Sequence, residues 1–144
     1  MADQVPFFDA KDFTNDSYIR RIEKPWGYEL HWVEDDKPYM GKVIHINKGA
    51  RLSLQIHDKK SESWLLINGK AVVIWENSAG NLITTELVPL KGFTTSIGQK
   101  HRLCGVSDCD IVEVSTPEIG TTWRLEDDYS RPDETEELRK SERQ

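Results

Sequence analysis

The stretch Leu52-Ser53-Leu54-Gln55-Ile56-His57-Asp58-Lys59-Lys60-Ser61-Glu62-Ser63-Trp64-Leu65-Leu66-Ile67-Asn68-Gly69 decides how the chain is read. Its opening residues alternate. Leu52, Leu54 and Ile56 fall on one side of an extended strand and Ser53, Gln55 and His57 on the other, because successive strand side chains point to opposite faces. A short polar loop follows, and Glu62 opens a second strand on which Glu62, Trp64 and Leu66 share a face. A carboxylate on a mostly apolar face needs a partner, since an unpaired buried charge is costly. Asn68-Gly69 then predicts a two-residue hairpin turn of type I′, in which both central residues take positive φ. With that turn fixed, Glu62 is expected to face Trp75 across the hairpin and Trp64 to face Val73.

The same texture extends in both directions. Segments 28–33, 40–47, 52–57, 62–67, 70–75, 82–87, 93–97, 102–104 and 110–115 are rich in Val, Ile, Thr and Trp, which suit a pleated, half-buried surface. Lys48-Gly49, Ser78-Ala79-Gly80-Asn81 and Gly105-Val106-Ser107-Asp108 punctuate them with turn chemistry. Many short strands at regular spacing predict an all-β sandwich or barrel. The absence of a long amphipathic helical pattern between them argues against alternating strands and helices. Residues 131–144 are highly charged, and either a surface helix or a solvated tail fits them.

A length of 144 residues fits one domain with one core. A net charge of −6 with no basic face argues against nucleic acid as a partner. No apolar run approaches the ~20 residues that a membrane helix needs. The start of the chain lacks a basic segment leading into an apolar one, so a cytoplasmic protein is expected, with Cys104 and Cys109 as reduced thiols. The five tryptophans are read as core or interface rather than as sugar-stacking platforms, and His31, beside Trp32 and an acidic loop, as solvent-exposed.

Chemistry concentrates in four residues. Gln55 and His57 project the same way from one strand, Glu62 opens the next, and His101 stands at the start of a later one. Two imidazoles, a carboxylate and an amide oxygen suit one borderline divalent ion, Zn first and Mn, Fe, Co or Ni after it. Water or a substrate oxygen would complete the coordination.

The run Gly49-…-Gln55-x-His57-x4-Glu62-x6-Gly69 resembles the first cupin motif, with Gln in place of its leading His. Gly92-…-Gly98-x2-His101 resembles a contracted second motif. More closely, the chain is similar to the cupin domain of type II phosphomannose isomerases, often fused to mannose-1-phosphate guanylyltransferases. The similarity rests on Lys24-Pro25-Trp26-Gly27, Leu52-Ser53-Leu54-Gln55-x-His57, Glu62-x-Trp64, His101-Arg102-Leu103 and the closing segment from Trp123 to Arg131. Ser63 stands where that family usually has a second His, Lys60 where it usually has Arg, and the proline expected before Gly98 is absent.

The resemblance implies an all-β cupin, a double-stranded β-helix or jelly-roll barrel, over residues 21–131, with an extension at 1–20 and a tail or short helix at 132–144. It implies a homodimer and a carbohydrate or sugar-phosphate ligand. The implied reaction interconverts mannose 6-phosphate and fructose 6-phosphate through an enediol, with a metal polarising the substrate oxygens. Arg102, Lys60 and His45 are the catalytic candidates, with Arg131 a further cation. Arg102 and Lys60 flank the ligands and suit a phosphate or sugar oxygen, although alternation turns Arg102 away from His101 and a loop lysine is ordinarily solvated. His45 is a candidate base on a neighbouring strand. Two rivals stand beside the isomerase: a non-catalytic sugar-binding cupin, and a metal-dependent cupin oxygenase.

Overall fold

Alternating patterns become strands wherever the segment finds a neighbouring strand to pair with on at least one edge. The computed structural model describes residues 4–143. Its strands are β1 (Arg20–Lys24), β2 (Gly27–His31), β3 (Met40–Ile46), β4 (Leu54–His57), β5 (Glu62–Asn68), β6 (Ala71–Glu76), β7 (Leu82–Glu86), β8 (Phe93–Thr95), β9 (His101–Gly105), β10 (Cys109–Ser115) and β11 (Thr122–Glu126), followed by helix α1 (Glu136–Glu142). They form two sheets, ordered β1-β2-β3-β10-β5-β8 and β11-β4-β9-β6-β7. Every pairing between named strands is antiparallel. Two strands, β1 and β11, lie in segments whose mixed polarity hides the alternation.

Between the sheets lies one apolar core. Ile44 and Ile46 come from β3, Trp64 and Leu66 from β5, Val73 from β6, Leu103 from β9 and Ile111 from β10. Burying each such side chain contributes about 1.5–3 kcal/mol. Trp26 and Trp64 are core residues, whereas Trp32 and Trp123 are exposed. Cys104 and Cys109 carry no disulfide. No helix among the described residues is long and apolar enough to cross a membrane.

The Asn68-Gly69 turn differs from the expected hairpin. β5 is bonded on both edges, to β10 and β8, so β6 crosses to the other sheet and pairs with β7 and β9. Gly69 has φ +78°, and Asn68 is not among the residues with positive φ. The Asn68 side chain instead donates to Asp110 Oδ2 at 3.1 Å, and Lys70 N donates to Ser107 Oγ at 2.9 Å. The turn is therefore a corner between sheets. Glu62 faces Thr95 and Ser115 rather than Trp75, and Trp64 faces Phe93 and Glu113 rather than Val73.

A Cβ added to Gly69 would lie 2.1 Å from the Asp108 carbonyl oxygen, whereas one on Gly80, at φ +81°, meets nothing within 4 Å. Gly69→Ala should therefore destabilise the fold by at least about 2 kcal/mol, against about 1 kcal/mol for Gly80→Ala. Urea unfolding of the two variants checks this; equal losses would contradict a packed corner.

Candidate metal centre

The strand registers bring together side chains that are distant in sequence. β4 presents Gln55 and His57 inward, Gln55 stands opposite His101 across the β4–β9 ladder, and Thr122 of β11 stands opposite His57. Glu62 enters from the other sheet as the first residue of β5. Its Oε1 lies 2.8 Å from His101 Nε2 and 3.2 Å from His57 Nε2. The Gln55 amide nitrogen is 3.4 Å from both imidazole Nε2 atoms, and its Oε1 accepts from Ser53 Oγ at 2.9 Å. Presenting the amide oxygen to the centre takes a half-turn of that side chain. His57, Glu62 and His101 are all buried, with ligand atoms within 4.8 Å of one another.

The outward hydrogen bonds set the chemistry of the inward atoms. His101 Nδ1 lies 2.9 Å from the Gln99 carbonyl oxygen and must carry the proton there, because a carbonyl only accepts. A neutral His101 then turns an unprotonated Nε2 toward a carboxylate oxygen. Two lone pairs at that distance need a cation between them, either a proton or a metal ion. His57 Nδ1 is held at 2.9 Å by Thr122 Oγ1, a partner of the kind that orients metal-ligating imidazoles. Donors around a tetrahedral ion lie about 3.3 Å apart for bond lengths near 2.0–2.1 Å, so these residues fit an ion of that size. Thr95, opposite Glu62 on β8, has a buried hydroxyl without a hydrogen-bond partner, as a site that also orders water would provide.

Burial would raise Glu62, but Lys60 and the two imidazoles hold it well below the usual carboxylate range. Burial lowers His57, offset in part by Glu62, which keeps its ring neutral and ready to ligate at neutral pH. Lys60 is buried, correcting the solvated reading of its loop: Nζ lies 3.2 Å from Glu62 Oε2, 3.1 Å from Glu113 Oε2 and 3.3 Å from Glu118 Oε1. Desolvation opposes its charge, yet these carboxylates hold it well above the ordinary lysine value.

Other charges line the interior and were missed by motif reading. Lys42 pairs with Glu29 at 3.2 Å and also with Glu118. Burial, with Glu62 nearby, pushes Glu113 up to about 8. His31 is fully buried and bonded to Glu29 at 2.8 Å, which overturns its expected exposure. Strand parity carried the signal. Lys42 shares a face with Ile44 and Ile46, and Glu113 shares one with Cys109 and Ile111.

Of the catalytic candidates, Lys60 meets the cluster and two others do not. Arg102 lies on the opposite side of β9 from His101, where Nε donates to the Leu52 carbonyl at 2.8 Å and a terminal nitrogen to the Glu126 carbonyl at 3.0 Å. His45 faces outward from β3, stacked on Tyr28 and bonded to Asp110 at 2.7 Å. Ser63 also faces outward, 2.7 Å from Thr94 Oγ1, so the histidine missing at that position does not belong to the centre. Arg131 lines the interior cavity with Lys24 and Arg124.

Two antiparallel sheets closing over an inward His/Glu/His cluster define a cupin barrel with a candidate metal centre. The chain belongs to the mannose-6-phosphate isomerase C-terminal family, which it matches over residues 11–134. It is 30% identical over 132 residues to the alginate biosynthesis protein AlgA of Pseudomonas aeruginosa, covering 88% of this chain and 26% of that protein. The chain thus spans about a quarter of the length of that relative. Among solved structures, KdgF from Halomonas sp. superposes with a TM-score of 0.58 at 16% identity, covering 78% of this chain and 95% of KdgF. Bacillus subtilis oxalate decarboxylase, described with Mn(II) centres, superposes with a TM-score of 0.64 at 15% identity over 81% of this chain and 35% of that one. At such identities these likenesses carry the fold alone.

At a hundredfold excess over its dissociation constant, a divalent ion should stabilise the protein by about 2.7 kcal/mol, a rise of roughly 5–10 °C in Tm. Differential scanning calorimetry with Zn or Mn checks this. His101→Ala and Glu62→Gln should abolish the rise, and an undiminished rise in both would place the ion elsewhere.

The interior ion pairs predict acid sensitivity. Burial would raise Glu118, but Lys42, Lys60 and Arg143 hold it well below its ordinary value of 4.5. Because the folded value lies below the unfolded one, its contribution is present above about pH 4.5 and is lost as pH falls through the folded value. Glu118→Gln should destabilise by about 3 kcal/mol at neutral pH. Its deficit against wild type should shrink below that pH; a constant deficit in urea titrations would contradict the assignment.

Proposed function

We propose that this chain is a metal-dependent cupin isomerase domain that interconverts mannose 6-phosphate and fructose 6-phosphate in the cytoplasm. One observation carries the reading: Gln55, His57 and Glu62 of the candidate metal cluster line the same interior cavity as the cations Lys24, Arg124 and Arg131. Oxygen-rich substrates suit the first, and a phosphate monoester suits the second. Family membership and the likeness to AlgA support a carbohydrate substrate.

A bound divalent ion supplies Lewis-acid polarisation of substrate oxygens. The chain's own residues do the rest. Gln55, His57, Glu62 and His101 are the proposed ligands. Lys60 stays protonated among its carboxylates, so it acts as a hydrogen-bond donor to a sugar oxygen rather than as a base. Arg131, braced by Asp127 at 2.9 Å, presents a fixed cation to the cavity. The apolar outer face of the five-stranded sheet, with Ile56, Val72, Ile74 and Trp123, is the proposed contact with a second copy of the chain in a homodimer.

A sugar-binding cupin without turnover is the second reading, favoured by the small interior cavity of about 60 Å³, against roughly 300 Å³ at the lower end of small-molecule sites. Incubating metal-loaded protein with mannose 6-phosphate and following fructose 6-phosphate separates the two. Turnover is expected, and Lys60→Met should lower kcat by about a hundredfold or more with metal content retained, while Lys60→Arg keeps the charge and the fold. Stabilisation by the sugar phosphate without product would replace the isomerase by the binding module.

A further inference from the structure

The segment after Arg131 does not hang in solvent; it folds back over the barrel mouth. Glu134 pairs with Thr122 through two backbone hydrogen bonds of 2.9 Å, extending the sheet past β11. Arg124 holds the segment from below. Its backbone N–H donates to Asp133 Oδ1 at 2.8 Å, its guanidinium donates to the Pro132 carbonyl at 2.8 Å, and it pairs with Glu134 Oε2 at 3.3 Å. From α1, Arg139 reaches inward to the Glu118 and Gly120 carbonyls, each at 3.1 Å, and to Glu134 at 2.9 Å. Lys24, which lines the same cavity, lies 3.9 Å from Glu142.

The segment's own Arg143 pairs with Glu118 of the barrel, and its carboxylates meet barrel cations. The barrel supplies the cations Lys24 and Arg124, whose side chains are 11% and 4% exposed. Among the described residues, the carboxylates in ion pairs with them are Glu142 and Glu134, both from this segment. Burial would raise Glu134, but Lys24, Arg139 and Arg124 keep it ionised. The match to the family stops at residue 134, so helix α1 lies beyond the shared domain. The helix spans only seven residues, too few to be stable alone. Its one buried side chain is Arg139, so ion pairs rather than apolar burial hold the segment down. Contacts of that kind open locally at low free energy and yield to a competing anion.

We propose that Lys24 and Arg124 form an anion site in the cavity wall, that the Glu142 and Glu134 carboxylates occupy it in place of a ligand, and that a phosphate monoester enters by displacing segment 132–143. The inference rests on the sugar-phosphate reading for its ligand class. It explains how so small a cavity admits a hexose: the mouth is covered by a strap, and the charge of the incoming phosphate releases it.

The test uses the full chain, with inorganic phosphate and mannose 6-phosphate as probes and hydrogen exchange as the readout. The amides of Glu134 and Arg139, bonded to Thr122 and Thr135, report on the strap. Either probe should speed their exchange by about tenfold or more at saturation. Glu134→Gln should tighten phosphate binding about tenfold by removing the internal competitor, and Lys24→Gln should weaken it comparably. Phosphate binding that leaves these amides unchanged or better protected would overturn the proposal. So would a Glu134→Gln variant that binds phosphate no better than wild type. Because inorganic phosphate requires no turnover, strap release without isomerisation would sink the isomerase reading alone, and isomerisation with the strap in place would sink this inference alone.

Discussion

The site depends on one close approach. Nε2 of His101 and Nε2 of His57 both face Oε1 of Glu62, at 2.8 and 3.2 Å, inside a barrel that excludes most water. His101 is committed on its other side to a carbonyl, so its inward nitrogen carries a lone pair whenever the ring is neutral. A lone pair set against a carboxylate in a low-dielectric interior is repulsive unless a cation is shared between them. The strand registers impose this arrangement, since Gln55 and His101 are cross-strand partners and Glu62 is fixed by β8 and β10 on either side.

Around that centre the interior is far more charged than its apolar strands suggest. Lys60 and Lys42 interleave with Glu62, Glu113, Glu118 and Glu29, so that each of these four carboxylates has a lysine within ion-pair distance. Such pairs add little net stability over apolar packing, but breaking one leaves an uncompensated buried charge. The arrangement fixes the position of Lys60 close to the His57/Glu62/His101 cluster. It also extends polar character from the metal cluster to the cavity wall, where Lys24, Arg124 and Arg131 meet the strap.

Much of this was legible beforehand, and the failures have physical causes. Alternation in residues 52–57 and 62–66 places Gln55, His57 and Glu62 on inward faces, because period-two patterning survives wherever one face is buried. It also turned Arg102 away from His101, as found. The Asn68-Gly69 signal is local and cannot report that both edges of β5 are already occupied, so the chain turns a corner there instead of closing a hairpin. Polar neighbours predict solvated His31 and Lys60, but both find buried partners: Glu29, on the same face of β2, for His31, and Glu62 with the sequence-distant Glu113 and Glu118 for Lys60. The docking of residues 132–143 was hidden for the same reason: Arg139 finds its acceptors at Glu118 and Gly120.

X-ray absorption at the K edge of the bound metal tests the central claim most directly. A cation shared by His57, His101 and Glu62 predicts a first shell with two imidazole nitrogens and at least one carboxylate oxygen at about 2.0–2.2 Å. A shell of oxygen alone, or one unchanged in His101→Ala, would mean that the ion lies outside the barrel, and the account of the site would fall.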